Sequence, residues 1–269
     1  MTLWLFSYGS LMNPSSGEHF LLEKRFPLLP VLVKELKRQW NHCAFAHRFV
    51  AVSTSMATDN FTSGFLLKID PDSMKQLDER EAGYVRLNLY NDNIVFLVPD
   101  HRQWVLAVDI VFTYVHSPPK GEEKGFTLPV LPLFDDTNVS PFPAEPTTSV
   151  TLSSPQSNTK LCNGDPIVQS YVDVILGGLL TQFPGTVGER LGVQFLETTH
   201  GWDNASFVDD RGNPRALHPL ADRRRHTRGH VLPELTVELE EAIDRLLAHA
   251  MVNGKSLLTR RINVSPLLL

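Results

Sequence analysis

Two short stretches of the chain combine residue types that could do chemistry. The first is Phe6-Ser7-Tyr8-Gly9-Ser10-Leu11, where an apolar and aromatic run ends in Gly and then Ser. A glycine there lets backbone N–H groups turn toward one point and lets a ligand come close to the main chain. Such a loop binds a carboxylate or a carbonyl oxygen without a formal positive charge. The second stretch, some seventy residues on, is Leu77-Asp78-Glu79-Arg80-Glu81-Ala82-Gly83-Tyr84, a helix end feeding a strand. A carboxylate at that junction, flanked by Ala82 and Gly83, is open to partial desolvation, which suits a base working near neutral pH.

Other chemistries lack their motifs. Ser10 sits in Tyr-Gly-Ser-Leu and not in a G-x-S-x-G elbow, so a hydrolase triad has no anchor. Walker A and G-x-G-x-x-G loops are missing, which removes support for a nucleotide cofactor. His226 and His230 are separated by Gly229 and followed by Pro233, a poor setting for a rigid helical ligand pair. His42 and His47 lack a third ligand at any recognisable spacing. We therefore expect neither metal nor cofactor. The basic run Arg223–Arg225 with Arg228 reads as a solvated surface loop.

The elements that must position the two stretches follow from local pattern. Thr2–Tyr8 reads as a buried strand ending in a turn. Ser15–Arg25 reads as a short helix, and Val31–Trp40 as a half-exposed strand alternating apolar and basic residues. Phe49–Ser53 and Gly64–Ile69 are read as two further strands. Pro71 then opens a helix over Asp72–Arg80. Strands follow at Tyr84–Tyr90, Ile94–Val98 and Val105–Val115, with Asn91-Asp92-Asn93 as a hairpin turn. From Ser117 to about Gln156 the chain holds eight of its 19 prolines, which marks a long irregular insertion. Asp165-Pro166 is expected to start a helix that ends at Gly177-Gly178, with Ile167, Tyr171, Val174 and Ile175 on its docked face. Leu235–Met251 is an amphipathic helix, with Leu239, Ile243, Leu246, Leu247 and Ala250 on one side. Trp202–Arg215, with Asp209-Asp210-Arg211-Gly212-Asn213-Pro214, reads as a turn packed by Trp202.

Composition narrows the class of protein. With 269 residues, 42% of them hydrophobic, the chain can bury a sizeable core in one large or two small domains. The 25 Lys and Arg against 30 Asp and Glu argue against affinity built on phosphate neutralisation, so no nucleic-acid partner is expected. Cys43 and Cys162 are too few for a disulfide scaffold or a cysteine metal site, which points to a reducing compartment. The N-terminus lacks a basic n-region, and no apolar run approaches the roughly 18 residues a membrane span requires. A cytoplasmic protein without a membrane partner is the expectation.

In order and spacing, the two stretches resemble the γ-glutamylcyclotransferase-like family, in which a Y-G-S loop follows the first strand and an L-D-x-x-E-G motif lies about seventy residues on. Further segments are similar. Ser63-Gly64-Phe65-Leu66-Leu67 stands where the family has V-x-G-V-L-Y, and Val111-Phe112-Thr113-Tyr114-Val115 looks like its late aromatic strand. Pro166-Ile167-Val168-Gln169-Ser170-Tyr171, with Ile175 and Gly177, looks like its P-S-x-x-Y-x-x-x-I-x-x-G helix. The similarity covers roughly residues 1–116 and 165–180. Ala82 stands between Glu81 and Gly83 where family members often have Gly directly after the glutamate. Arg80 before Glu81 matches the D-x-R-E form of the glutathione-degrading branch.

The resemblance implies an α+β fold, a small mixed β-barrel or sheet flanked by helices. The family-like domain would be residues 1–180, interrupted by a Pro/Ser-rich insertion over 117–164. Residues 181–269 would be a C-terminal extension packed on the core. The implied reaction is intramolecular aminolysis of a small γ-glutamyl amide or peptide, which gives 5-oxoproline and a free amine or amino acid. Glu81 would be the general acid/base. Tyr8, Gly9, Ser10 and Leu11 would hold the substrate from the loop, with Tyr84, Tyr114 and Tyr171 around it. Candidate substrates are glutathione, a γ-glutamyl amino acid or a γ-glutamylamine. The alternative is a binding or scaffold module of the same fold, with the extension as partner surface; an ionisable Glu81 favours the enzyme.

Overall fold

Leu3–Ser7 forms strand β1, and every one of its residues is buried. A five-residue run of that kind, apolar on both sides, suits the middle of a sheet covered on both faces. In the computed structural model, which describes residues 1–13, 16, 28–44, 48–116, 162, 164–211 and 235–263, β1 sits inside a seven-stranded mixed sheet. The other strands are β2 (Leu29–Ala44), β3 (Phe49–Ile69), β4 (Tyr84–Leu89), β5 (Ile94–Phe96), β6 (Ile110–His116) and, further on, β8 (Thr199–His200). Their order is β4-β6-β1-β3-β2-β5, with β8 beside β2. β1 runs antiparallel to β3, from Leu3 opposite Ile69 to Ser7 opposite Phe65. It runs parallel to β6, with Leu5 opposite Phe112.

β2 and β3 are the long members, 16 and 21 residues, and together they make one hairpin. The stretches Phe49–Ser53 and Gly64–Ile69 are therefore two ends of a single strand. The joining residues 57–60 escape a period-2 reading because the ladder jumps there, from Lys34 opposite Phe61 to Leu36 opposite Met56. Extra residues on one strand bend it and strengthen the local twist. Glu35 and Asp59 take positive φ at this irregularity. A second register shift falls between Trp40 and His42. Past the short end of β1 the first half of β3 closes toward β6: Thr54 donates its hydroxyl to the Tyr114 carbonyl at 3.2 Å. The sheet thus curls into a half-barrel, and the mixed α+β architecture expected from the sequence is what the fold displays.

Helices cover the sheet. A single-turn 3-10 segment at Pro71–Ser73 leads into α1 (Met74–Arg80). The strand β7 (Ile167–Val168) precedes α2 (Gln169–Gln182), and α3 (Thr186–Glu197) follows. β9 (Phe207–Asp209), α4 (Val237–His249), the small hairpin β10 (Met251–Val252) with β11 (Lys255–Ser256), α5 (Leu257–Arg260) and β12 (Ile262–Asn263) complete the described chain. β12, β9 and β7 form a separate parallel three-stranded sheet. Ile243, Leu246 and Leu247 are the buried stripe of α4, as its amphipathic pattern requires.

Several expectations need correction. Asn91–Asn93 is a 3-10 turn but closes no hairpin, because β4 pairs with β6 and β5 with β2. Pro99–Trp104 is a 3-10 segment, so the last strand of the first block starts at Ile110 and not at Val105. Asp165-Pro166 does not open α2, since Ile167–Val168 pair with Phe207–Val208 before the helix starts. Asp210 caps it instead, accepting the Ser170 backbone N–H at 2.8 Å and the Ser170 hydroxyl at 2.6 Å. Nor do Gly177-Gly178 end it. A Cβ on Gly178 would stand 2.6 Å from Asn13 Cα, so that glycine serves close packing within a continuing helix. Cys43 and Cys162, taken above as a sign of a reducing compartment, are joined as a disulfide. The helix read over Ser15–Arg25, apart from Ser16, most of the 117–164 insertion, His47, Arg223–Arg225, Arg228, His226 and His230 lie outside the described residues.

Candidate active site

The Tyr8–Leu11 loop leaves the carboxyl end of β1 where β1 stops short of its neighbours β3 and β6. Ser10–Met12 then form a 3-10 turn whose first N–H groups have no partners within the turn itself. The loop is held from several sides. Asn13 donates its side-chain amide to the Val174 carbonyl of α2 at 3.1 Å. The Ser16 hydroxyl bonds the Ser10 and Asn13 carbonyls. Gly9 is required by contact: a Cβ there would meet Val52 Cγ2 at 3.1 Å and the Tyr171 hydroxyl at 3.3 Å. Burial raises the pKa of that phenol, and the backbone of Val52 and Ser10 offsets part of the rise. No hydrogen bond to the Gly9 amide is present among the described residues.

Glu81 is the C-cap of α1, its backbone N–H bonded to the Leu77 carbonyl, and its side chain is 18% exposed. Leu77 is fully buried and pins the helix. Arg80 lies between the two stretches singled out in the sequence. Its Nε is 3.2 Å from Glu81 Oε1, one terminal nitrogen is 3.5 Å from Ser10 Oγ, and the other bonds the Ser16 carbonyl. Burial raises the Glu81 pKa, and the Arg80 guanidinium offsets only part of that. The Glu81 charge is also felt by Tyr8, Tyr84, Tyr114 and Tyr171, whose phenols are all pushed up first by burial and further by this carboxylate. The charge of one carboxylate thus reaches phenols carried by four different elements.

Their hydroxyls are not equivalent. Tyr8 donates to the Tyr114 carbonyl at 2.8 Å, and Tyr114 donates to Asp78 Oδ1 at 2.5 Å. Asp78 is also bridged by Arg86, at 3.1 Å, so it is committed to structure. The Tyr171 hydroxyl lies beside Gly9 of the loop, as described above. The Tyr84 ring lies 4.8 Å from the His42 ring, with His116 6.0 Å beyond His42. Burial, then the neighbouring His116, lowers the His42 pKa to about 4, so this imidazole is neutral at pH 7. Neither histidine was singled out for this place by the sequence; the register shift after Trp40 brings His42 to the Tyr84 ring. Among the described residues no group of three or more His, Cys, Asp or Glu side chains is arranged to hold a metal ion.

Arg38 was also missed. It is fully buried in β2, and one guanidinium nitrogen donates to the Tyr8 carbonyl at 3.2 Å. The signal was present in the register. Before the irregularity at Glu35 the odd positions of β2 are buried, and after it Leu36, Arg38 and Trp40 are. Arg38 therefore occupies an inward position that a strictly alternating reading assigns to solvent.

No family model matches the chain, and no curated protein matches it either. Among solved structures it is similar to a protein described as gamma-glutamyl cyclotransferase, at 10% identity and a TM-score of 0.40 over 71% of this chain and 86% of that one. A gamma-glutamyl cyclotransferase specific to glutathione, from yeast, aligns at 10% identity and 0.34 over 74% and 88%. An uncharacterized human protein aligns at 11% and 0.40 over 71% and 86%. No helix among the described residues is long and apolar enough to cross a membrane.

Proposed function

We propose that the protein is a γ-glutamylcyclotransferase-type enzyme that releases 5-oxoproline from a small γ-glutamyl amide or peptide. The observation that carries this reading is the pairing of a desolvated Glu81 with the glycine loop at the end of β1, linked through Arg80.

The substrate's α-amino group is an ammonium at neutral pH, with a pKa of about 8, and must lose a proton to become a nucleophile. A carboxylate with a raised pKa is matched to that task. Glu81 takes the proton, and the amine attacks the γ-carbonyl carbon of the same molecule. The carbonyl electrons move onto oxygen as the ring closes. The Gly9 N–H, unpaired among the described residues, is the donor available to that oxyanion, the kind of contact whose loss costs about 3 kcal/mol. Collapse of the intermediate breaks the amide C–N bond as Glu81 gives its proton to the leaving nitrogen. The carboxylate so regenerated takes the second proton from the ring nitrogen and passes it to the released amine, which departs as its ammonium. Nucleophile and electrophile share one molecule, so the site's main task is to fold the substrate into a reactive shape. Such closures have large effective molarities.

The test is to incubate the protein and its Glu81→Gln variant with γ-glutamyl-alanine, glutathione and γ-glutamyl-lysine and to measure 5-oxoproline. The expected result is release from at least one substrate by the parent and its loss in the variant. Release that survives the substitution removes Glu81 as the base. Binding of a γ-glutamyl ligand with no release from any substrate supports the binding module instead.

A further inference from the structure

Arg38 presents an energetic question that the proposed reaction does not by itself answer. A fully buried guanidinium forgoes hydration worth several kcal/mol, and among the described residues no carboxylate is one of its partners. Its hydrogen bonds among the described residues go to carbonyls and hydroxyls. Nε donates to Thr199 Oγ1 at 2.7 Å. One terminal nitrogen donates to the carbonyls of Tyr8, at 3.2 Å, and Ser63, at 2.6 Å. The other reaches Ser63 Oγ at 3.1 Å, the Phe195 carbonyl at 2.9 Å and Thr198 Oγ1 at 2.8 Å. The guanidinium also lies over the Phe195 ring, 4.1 Å from its centroid.

Those partners fall into two groups. Phe195, Thr198 and Thr199 belong to the carboxyl end of α3 and the strand β8 after it, where unpaired carbonyls and the helix dipole favour a cation. Tyr8 and Ser63 belong to the core sheet and the loop. The Tyr8 carbonyl and the Gly9 N–H are two ends of one peptide group. A cation bonded to the carbonyl draws electron density toward oxygen and makes the N–H a stronger donor, since hydrogen-bonded peptides polarise one another.

We propose that Arg38 is a positioning residue. Anchored on the end of α3, it fixes the Tyr8–Gly9 peptide and strengthens the Gly9 amide as an oxyanion donor, so residues beyond 181 complete the site from behind. This rests on the reading above, in which the Gly9 amide faces the reacting carbonyl oxygen.

The experiment uses the full chain with Arg38→Lys and, as a remote version, the double variant Thr198→Val/Thr199→Val. Two readouts are taken: amide hydrogen exchange in the peptide covering residues 5–12, and kcat and KM for 5-oxoproline release. We expect faster exchange of the loop amides in both variants. Arg38→Lys should lose about tenfold in kcat with little change in KM, a fraction of the effect of losing a whole oxyanion donor; the threonine variant should fall between it and the parent. A folded Arg38→Lys protein with parental kcat and parental loop exchange overturns the proposal and leaves Arg38 a packing residue. If the parent releases no 5-oxoproline, the proposed reaction fails. Loop exchange then decides on its own whether Arg38 fixes the loop, with unchanged exchange counting against it.

Discussion

The Tyr171 hydroxyl lies 3.3 Å from the point that a Cβ on Gly9 would occupy. Helix α2 therefore delivers its tyrosine onto the main chain of the loop, and the residue at position 9 must have no side chain. A methyl group at Gly9 has to displace Val52 Cγ2, at 3.1 Å, and the Tyr171 phenol. The φ of Gly9 is negative, −133°, so the close contacts at this position carry the argument. Gly9→Ala should cost about 1–3 kcal/mol of stability, as overpacking does, and lower 5-oxoproline release far more than that stability loss explains. Denaturant unfolding alongside kinetics separates the two; a variant that is less stable yet fully active would show that the loop need not be held this way.

Glu81→Gln should remove about two to four orders of magnitude of rate, the usual contribution of a positioned acid/base. The pH profile of the parent carries the sign of the shift. Because burial raises the Glu81 pKa, formation of the carboxylate is displaced to higher pH, and activity should climb with pH through the raised value. Stability runs the other way. A carboxyl whose folded pKa exceeds its unfolded value binds protons better when folded, so stability falls as pH rises from the unfolded pKa to the folded one. Glutamine lacks that ionisation, so the variant should lose less stability than the parent across that window. Urea midpoints measured either side of the ordinary glutamate pKa check this; a parallel pH dependence in both proteins would count against a buried, ionising Glu81.

Much of this arrangement was legible in the sequence, and where reading failed the reasons are physical. β1 and the loop after it declared themselves through one apolar run ending in Gly. α1 did so through Pro71 and its acidic neighbours, and α4 through its apolar stripe. Register shifts were invisible. At Glu35 and Asp59 the strands change phase, so β3 looked like two strands and Arg38 looked solvated. Partners distant in sequence were equally hidden. Asp210 and Arg211 sat in a turn to which no chemistry was assigned, yet one caps α2 and the other pairs with Asp173 of the same helix. Gly177-Gly178 has the composition of a helix terminus, and only the approach of Asn13 shows why the pair lies inside one.

Arg211 gathers the elements beyond residue 181 onto α2. It makes two bonds to Asp173, at 2.7 and 2.8 Å, and one to Asp244 of α4 at 2.9 Å. Arg261 joins the same network through Asp244, at 2.9 Å, and Asp209, at 3.3 Å. The two aspartates hold the Arg211 pKa above its ordinary value, so this cation stays charged at every accessible pH. Arg211→Met leaves Asp173, which also takes the Gln169 amide at 2.6 Å and whose pKa burial already raises to about 6, buried without its cation. Breaking such a pair costs about 3–5 kcal/mol. Replacing both partners, as Arg211→Met with Asp173→Leu, should recover much of that loss. A double-mutant cycle measured by chemical denaturation tests this coupling, and additive losses would show that the two residues act independently.

His42 gives the fold a dependence on acid that can be isolated. Desolvation first, and the neighbouring His116 second, depress its pKa to about 4, against 6.5 for a free imidazole. A histidine with a depressed folded pKa takes up protons more readily when unfolded. Its contribution is therefore complete above about 6.5 and is lost as pH falls toward about 4. Its ring contacts are Tyr84 at 4.8 Å and His116 at 6.0 Å, so protonation would place a charge against a tyrosine ring and a second imidazole. His42→Gln removes the titration while keeping a side chain of similar reach. The variant should lose less stability than the parent between pH 6.5 and pH 4 and match its slope above that window. His101 and His200 are also depressed by burial but are more exposed, and in both proteins they supply the same background. Urea midpoints at half-unit pH intervals measure the difference, and identical curves for the two proteins would place the acid sensitivity elsewhere.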